Sequence, residues 1–347
     1  MKRVYLDHNA TTPVRAEARD AMIAAMDLCG NPSSVHAEGR AAKSLIERSR
    51  AQIAEAFGAD GADIVFTSSA TESAALALSG RGLHGAPVEH DAVRAWTNED
   101  LSVSQQGIVE VPDPAGSTLQ LANSETGVVQ NLPQGLAVTD ATQAFGKLPV
   151  AFNWLGAQMA LISAHKLGGP KGCGALVLKR GTDLASQIKG GGQEMGRRSG
   201  TENVIGIAGF AAAATAAARD LADGRWDRVA ELRNILENAL AVDAPETIFV
   251  GKETPRLPNT TCFATPGWKG ETQVMQMDLD GFAISAGSAC SSGKVRASAV
   301  LTAMGYDEIT AQGAVRVSLG LETTEEDVLR FAEAWLKKQK KHRARAA

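Results

Sequence analysis

The sequence predicts an α/β protein, in which a mostly parallel sheet flanked by helices forms a large domain and a smaller α+β domain follows. Three observations support this prediction. The chain has 347 residues, which is too long for one small core. Apolar runs alternate with helical patterns through its first part, as in parallel sheets. After about residue 245, short strands and helices mix instead. We expect a large domain over residues 13–245 and a small domain over 1–12 and 246–347.

Each element is predicted from its apolar pattern and its flanking turns. Pro13 suits the first position of a helix, and Gly30 to Ser34 break that helix. Residues 80–122 are rich in Pro and Gly and leave little room for long helices. The predicted strands are 3–6, 63–67, 135–140, 159–162, 175–178, 247–250, 260–264 and 314–318. The predicted helices are 14–26, 35–57, one ending at Leu78, 203–221, 226–241, 269–279, 297–304 and one from Thr324.

Composition excludes several classes of protein. The net charge is −4, so nothing indicates nucleic-acid binding. The basic tail from Lys337 to Arg345 is a solvated helix end or a docking surface for an acidic partner. The N-terminus lacks the apolar segment of a secretory signal, and the alanine-rich run 205–218 predicts a packed helix, not a membrane span. The four cysteines lack metal-site spacing, so we expect no metal and a reducing cytoplasm.

A lysine stands where an apolar run turns back. Residues 159–162 are followed by Ser163, His165 and Lys166, and then by two glycines and Pro170. A free lysine, with a pKa of roughly 10.4, is a poor nucleophile, but its amine can form a Schiff base with an aldehyde cofactor. The alternative is a solvated lysine in a turn.

A second candidate site follows the strand 63–67. The N–H groups at the start of the next helix, with the hydroxyls of residues 68–71, form an anion site. The alternative is a simple N-cap with Glu72 as its capping-box partner. The glycine-rich loop 190–201, with Arg197 and Arg198, is either a flexible linker or a contact to phosphate or to a partner subunit. Pyridoxal phosphate needs such a lysine and anion site, and also an acid at its ring nitrogen and a group to stack on.

On its motifs, the chain resembles the cysteine desulfurases of the NifS/IscS type, within the class V aminotransferase superfamily of fold type I pyridoxal-phosphate enzymes. The motifs follow the family order over nearly the whole chain. They are Tyr5–Pro13, Asn31–Gly39, Phe66–Glu72, Val88–Val93, Ser124–Gly127, Asp140–Gln143, Ser163–Lys166, Arg198–Thr201, Ser288–Ser291 and Arg316–Gly320.

The resemblance implies pyridoxal 5′-phosphate as the cofactor, L-cysteine as the substrate and a role for each matched residue. Lys166 would be the Schiff-base lysine and would then move the Cα proton. Asp140 would pair with the ring nitrogen, Gln143 with the ring hydroxyl, and His90 would stack on the ring and relay protons. Arg316 would bind the substrate carboxylate as a fork, and Asn31 would also contact substrate. The other implied cofactor contacts are Ala70, Thr71, Ser163, His165, Ser124 and, from a second subunit, Thr201.

By the same resemblance, Cys290 would be the residue that selects desulfuration within this superfamily. Small residues flank it, so its loop can bring the thiolate to the substrate sulfur and carry a persulfide away. The sulfur would go to an iron–sulfur scaffold protein or another acceptor. The alternative for Cys290 is a buried small hydrophobe, which we expect for Cys29, Cys173 and Cys262. The resemblance further implies a cytoplasmic homodimer without a membrane partner.

The chain departs from the family pattern in three places. Ser124 stands where the family has asparagine, and Met195 replaces an arginine. Three segments between motifs are short, so helices that cover the large sheet are expected to be trimmed. Two other functions therefore stay open. One is a selenocysteine lyase or β-eliminating lyase, and the other is a low-activity scaffold that needs a partner protein.

Overall fold

The structure is a computed structural model that describes residues 3–287 and 297–346. Its strands are β1 (Val4–Tyr5), β2 (Asp63–Thr67), β3 (His84–Gly85), β4 (Asn98–Glu99), β5 (Thr118–Gln120), β6 (Val138–Asp140), β7 (Met159–Ser163), β8 (Gly174–Leu178), β9 (Ile248–Phe249), β10 (Thr260–Ala264), β11 (Phe282–Ala283), β12 (Ser285–Ala286) and β13 (Ala314–Ser318). Its helices are α1 (Ala16–Met26), α2 (Ala37–Ala56), α3 (Ala70–Leu78), α4 (Asp91–Arg94), α5 (Val204–Ala222), α6 (Arg225–Asp243), α7 (Gly270–Leu279), α8 (Ala299–Ala303), α9 (Glu308–Gln312) and α10 (Glu325–Ala346).

The central sheet has the order β2-β8-β7-β6-β5. Strands β5, β6 and β7 are parallel, and β8 runs antiparallel to both β7 and β2. Strand β8 is reversed because only the short turn 164–173 joins it to β7, and such a turn returns the chain antiparallel. The predicted α/β fold with a mostly parallel sheet is confirmed, and so is the strand, turn and strand around Lys166.

Helices cover the two faces of this sheet unequally. On one face, α5 packs against α1 and α2 over a large apolar core. On the other face, α3 packs against β7 and β8. The described chain has no α-helix between β5 and β6 or between β6 and β7, where only the 3₁₀ turn Phe152–Trp154 forms. The short spacing between Gln130 and Asp140 thus lies in a connection without an α-helix, and the trimming of helices relative to the family stays a prediction.

Helix α5 is long and apolar enough to cross a membrane by length and composition. Most of it is buried inside the protein, where it packs against α1 and α2. Its small alanine side chains allow this close packing of helices. The interpretation of this run as a packed helix is confirmed.

A second sheet, of order β12-β13-β10-β9, is antiparallel. Its core contains Phe263, Trp268 and Trp335, and residues of α6, α7 and α10 belong to the same cluster. The N-terminal strand β1 pairs with β11, so the start of the chain joins this C-terminal region. The division near residue 245 stays a prediction, since α6 also packs in this second core.

The glycine-rich loop 190–201 is tied to the large sheet by ion pairs. The buried Glu194 carboxylate accepts from both terminal nitrogens of Arg50 (2.8 and 2.9 Å) and from the Phe66 N–H (2.8 Å). Arg197 pairs with Asp63 (2.8 Å) and Arg198 with Glu72 (2.7 Å). Both arginines of the loop therefore have partners within their own chain.

Replacing Glu194 by alanine should lower the free energy of unfolding by about 3 kcal/mol, because it leaves a largely buried guanidinium with only the more exposed Glu47 as its ion-pair partner. Glu194 is 1% exposed and Arg50 19%. The matched control is Glu47→Ala, which removes the more exposed partner of the same arginine and should cost at most about 0.5 kcal/mol. Urea unfolding of both variants measures the difference. If both variants lost the same free energy of unfolding, the larger contribution of the buried pair between Arg50 and Glu194 would be contradicted.

Candidate active site

A cavity of about 200 Å³ lies at the carboxyl ends of β6 and β7, the edge of a parallel sheet where ligands bind. Most of the residues predicted from the sequence meet here, although they come from segments far apart in the chain. The predicted residues that line the cavity are Ala70, Thr71, His90, Ser124, Asp140, Gln143, Ser163, His165 and Lys166.

The N-terminus of α3 contributes to the lining of the cavity. Ser69 caps the helix by accepting from the Glu72 N–H (3.3 Å), and the Glu72 carboxylate accepts from the Ser68 N–H (2.8 Å). Glu72 thus reaches the residue before the N-cap and not the N-cap N–H of a strict capping box. The first turn also faces the cavity through Ala70 and Thr71. A side chain at Gly174 of β8 would come within 2.7 Å of the Ser69 carbonyl carbon. Glycine at 174 therefore allows the sheet to approach this turn.

Lys166 and His165 follow β7 directly and also line the cavity. The Lys166 amine donates to the carbonyl oxygens of Asn9 (2.7 Å) and Ala10 (2.9 Å). Burial, and then the charges of Lys166, Lys171 and Lys147, lower the pKa of His165 to about 4. His165 is therefore neutral at pH 7, and its Nδ1 shares a hydrogen bond with Thr11 Oγ1 (3.2 Å).

The lining of the cavity also includes the groups predicted to contact an aromatic ring. Asp140 ends β6, and its Oδ1 accepts from the Thr142 N–H (2.8 Å). His90 caps α4 by accepting the Ala92 N–H at Nδ1 (3.1 Å), so a neutral His90 carries its proton on Nε2. An amine, a carboxylate, an imidazole and a helix N-terminus thus line one small space. This donor set fits a pyridine ring that bears an aldehyde and a phosphate.

Glu89 lies behind this cavity and was not among the residues predicted from the sequence. It is 2% exposed, and Oε1 accepts from the N–H of Gln120 (2.5 Å), which lines the cavity. Within the described residues, Oε2 has no hydrogen-bond partner. Burial, together with the charge of Asp140, raises the Glu89 pKa to about 8. The sequence contained one hint, a glutamate directly after an apolar run in the motif 88–93.

The Glu89 pKa predicts a pH-dependent stability. The Glu89 carboxyl is ionised above about pH 4.5 in the unfolded chain but stays neutral up to about pH 8 in the folded protein. Between these two pH values, folding therefore takes up a proton. The contribution of Glu89 to the free energy of unfolding is therefore fully present below about pH 4.5 and decreases as the pH rises towards 8. The variant Glu89→Gln should lack this pH dependence. Between about pH 4.5 and 8, the free energy of unfolding of the variant should therefore rise relative to that of the wild type by up to about 1.4 kcal/mol per pH unit. Urea unfolding at pH 5, 6.5 and 8 measures this trend, with the exposed Glu110→Gln as control. A pH-independent difference would contradict it.

Three predicted residues do not line the cavity. Arg316 is buried, and its terminal nitrogens donate to Asp7 Oδ1 (2.8 Å) and to the Ser124 carbonyl (3.0 Å). Its Nε has no partner among the described residues, which leaves one buried donor for a carboxylate. Asn31 is exposed and accepts from the Ser33 N–H (2.9 Å). Thr201 lines a separate small cavity beside Ser68. Their roles towards substrate and cofactor stay predictions.

Cys290 lies outside the described residues. Strand β12, the last element before that segment, pairs Ser285 with Arg316 of β13. The chain thus leaves the small sheet beside the arginine predicted to bind substrate. Cys173 and Cys262 are buried, as expected. The expectation for Cys29 is wrong, because Cys29 is exposed in the surface connection between α1 and α2.

Asn123 does not replace the asparagine that the family has at position 124. Its Oδ1 accepts from the N–H groups of Glu125 (2.9 Å) and Thr126 (2.8 Å), and its Nδ2 donates to the Val88 carbonyl (2.9 Å). Both ends of this amide therefore hold the loop together. Ser124 is the residue that faces the cavity.

The chain is similar in sequence and in structure to known proteins over nearly its full length. The model of a family described as aminotransferase class V matches residues 4–99 and 112–331. The cysteine desulfurase IscS of Dictyoglomus turgidum is 37% identical over 94% of this chain and 92% of the relative. A cysteine desulfurase of Cereibacter sphaeroides is 37% identical over 96% of this chain and 95% of its own length. The X-ray structure of a NifS-like protein from Rickettsia africae superposes with a TM-score of 0.88 at 32% identity and covers 96% of this chain and 99% of that chain.

Proposed function

The chain belongs to the class V aminotransferase family, and from that premise we propose that it is a pyridoxal-phosphate-dependent cysteine desulfurase. The enzyme takes L-cysteine to L-alanine and supplies sulfur for iron–sulfur cluster assembly. One observation carries the proposal. A single cavity joins Lys166, Asp140, His90 and the N-terminus of α3, in a chain 37% identical to cysteine desulfurases over nearly its full length.

The residues of the cavity suit the cofactor one by one. When bound, pyridoxal phosphate supplies a ring that withdraws electrons from the Cα of an attached amino acid. The first turn of α3, with Ser163 and the neutral His165, would hold its phosphate. Asp140 would keep a proton on the ring nitrogen, and His90 would pack on the ring face. Lys166 would hold the cofactor through its amine and then move the Cα proton of the substrate.

Sulfur transfer requires a nucleophile besides these residues. The Cys290 thiolate would attack the substrate sulfur, so that an S–S bond forms as the Cβ–S bond breaks. The electron pair of the broken bond stays on Cβ, which takes up a proton and gives alanine. Atoms and electrons balance without an added oxidant. Arg316 offers its Nε to the substrate carboxylate, and the strand before the Cys290 segment pairs beside it.

The proposal also covers the oligomeric state, the division into domains and the acceptor of the sulfur. The enzyme would be a cytoplasmic homodimer in which Thr201 reaches the phosphate of the partner active site. Its large domain would span 13–245, and the small domain 1–12 and 246–347. The persulfide would pass to an iron–sulfur scaffold protein or another acceptor, which docks where the trimmed connections leave the sheet less covered.

The direct test combines a spectrum with product analysis. Purified protein with pyridoxal phosphate should show a visible absorption band that changes when L-cysteine is added. With a thiol reductant, it should release alanine and sulfide in equal amounts. Pyruvate and ammonia would indicate a β-eliminating lyase instead, and a strong preference for L-selenocysteine would indicate a selenocysteine lyase. Cofactor binding without turnover would indicate a scaffold, and absence of the band would contradict the proposal.

A further inference from the structure

Lys147 is a buried lysine that the mechanism above does not use. It is 2% exposed, and within the described ranges it forms no ion pair. Its amine donates to two neutral amide oxygens, Gln143 Oε1 (2.7 Å) and Asn9 Oδ1 (3.2 Å). Burial, and then the charges of Lys166 and Arg316, lower its pKa well below the ordinary value. An apolar side chain would fill this space without the cost of desolvating an amine, so packing alone does not account for Lys147.

The contact with Gln143 determines which end of that amide is free to donate. Because Oε1 accepts from Lys147, the amide presents Nε2 on its other side, and Gln143 lines the cofactor cavity. One hydrogen of Nε2 goes to the Asn9 carbonyl (3.0 Å), and the second is left for a group in the cavity. With the opposite orientation, the amide would present an oxygen and would repel an anionic ring oxygen.

Asn9 joins Lys147 to Lys166. The Asn9 carbonyl accepts from both Gln143 Nε2 (3.0 Å) and the Lys166 amine (2.7 Å). Its side chain is held by Asn259, which donates to Oδ1 (3.0 Å), and by Thr260, which accepts from Nδ2 (2.8 Å). The side chain of Asn9 is therefore held by the first residue of strand β10 and by the residue before it, and the Asn9 oxygen that Asn259 contacts also accepts from Lys147.

We propose, resting on the function proposed above, that Lys147 is a positioning residue that holds the Gln143 amide with Nε2 towards the ring oxygen of pyridoxal phosphate. A donor at that oxygen stabilises its anionic form and so disfavours protonation of the linkage between cofactor and Lys166. Lys147 thus acts on the cofactor through Gln143, without touching it.

The test is a pH titration of the visible band of the bound cofactor. In Lys147→Met, the midpoint should rise by roughly one unit, since a lost hydrogen bond to a charged group is worth about that much. Lys147→Arg keeps a donor and should stay near wild type. Lys171→Met removes an exposed lysine of the β7–β8 turn that does not line the cavity, and it should shift the midpoint much less.

A double-mutant cycle separates positioning from a general effect on folding. In a Gln143→Ala background, Lys147→Met should add no further shift, because the group it acts through is gone. An unchanged midpoint in Lys147→Met, or the same shift with and without Gln143, would overturn the inference. Unfolding of the variants without cofactor gives the control for stability. A wild-type protein without any visible band would instead contradict the proposed function.

Discussion

Replacement of Lys166 by alanine is expected to lower the rate of sulfide release by at least about a thousandfold. The amine has two tasks, to hold the cofactor and to move the substrate proton, and alanine can do neither. In the structure Lys166 lines the cavity and ends the 3₁₀ turn Ala164–Lys166, which directly follows β7. The visible band of the protein should also change to that of pyridoxal phosphate bound without a link to lysine. Rate assays with L-cysteine and absorption spectra measure both effects.

Lys171→Ala is the matched control for this prediction. Lys171 lies in the same turn and is exposed, and it does not line the cavity. Its loss should leave the spectrum unchanged and alter the rate by less than a few fold. If the two variants kept similar rates, Lys166 would not be the lysine of the reaction.

Cys290→Ala is expected to reduce sulfide and alanine formation by roughly a thousandfold, while the cofactor stays bound with an unchanged spectrum. Alanine lacks the thiolate that attacks the substrate sulfur, but it fits a segment already rich in small residues. The substitution should therefore lower the rate of the sulfur-transfer step without lowering the affinity for the cofactor. Mass spectrometry should find the added sulfur on residue 290 of the wild-type protein and nowhere in the variant.

Cys29→Ala is the control here, since Cys29 is exposed and thus open to the same reagents. It should keep the wild-type rate. Equal turnover by Cys290→Ala and wild type would remove the persulfide step and favour a lyase that acts without a protein thiol.

The sequence predicted eight of the thirteen strands in the described part of the chain, most of the helices and most of the polar residues of the cavity; the missed strands are only two or three residues long. The buried runs that end in Asp140 and in Ser163 each place polar groups at the carboxyl end of a strand, and parallel strands bring those ends together. The apolar period of each segment is local, so it can be recognised without the fold. The short helices α4 and α9 were missed because each is little more than one turn and has no period to recognise.

Contacts between distant segments could not be predicted in the same way. Asn9 meets Asn259, 250 residues along the chain, and Arg50 meets Glu194, 144 residues along. Burial likewise depends on neighbours, and for this reason Cys29 is exposed and Glu89 is buried with a raised pKa. The sequence by itself determined the α/β elements and the kinds of group at the strand ends. Only the tertiary structure decided that Lys147, Asn9 and Gln143 form one network beside Lys166, because hydrogen-bond partners are selected by position in space and not by spacing along the chain.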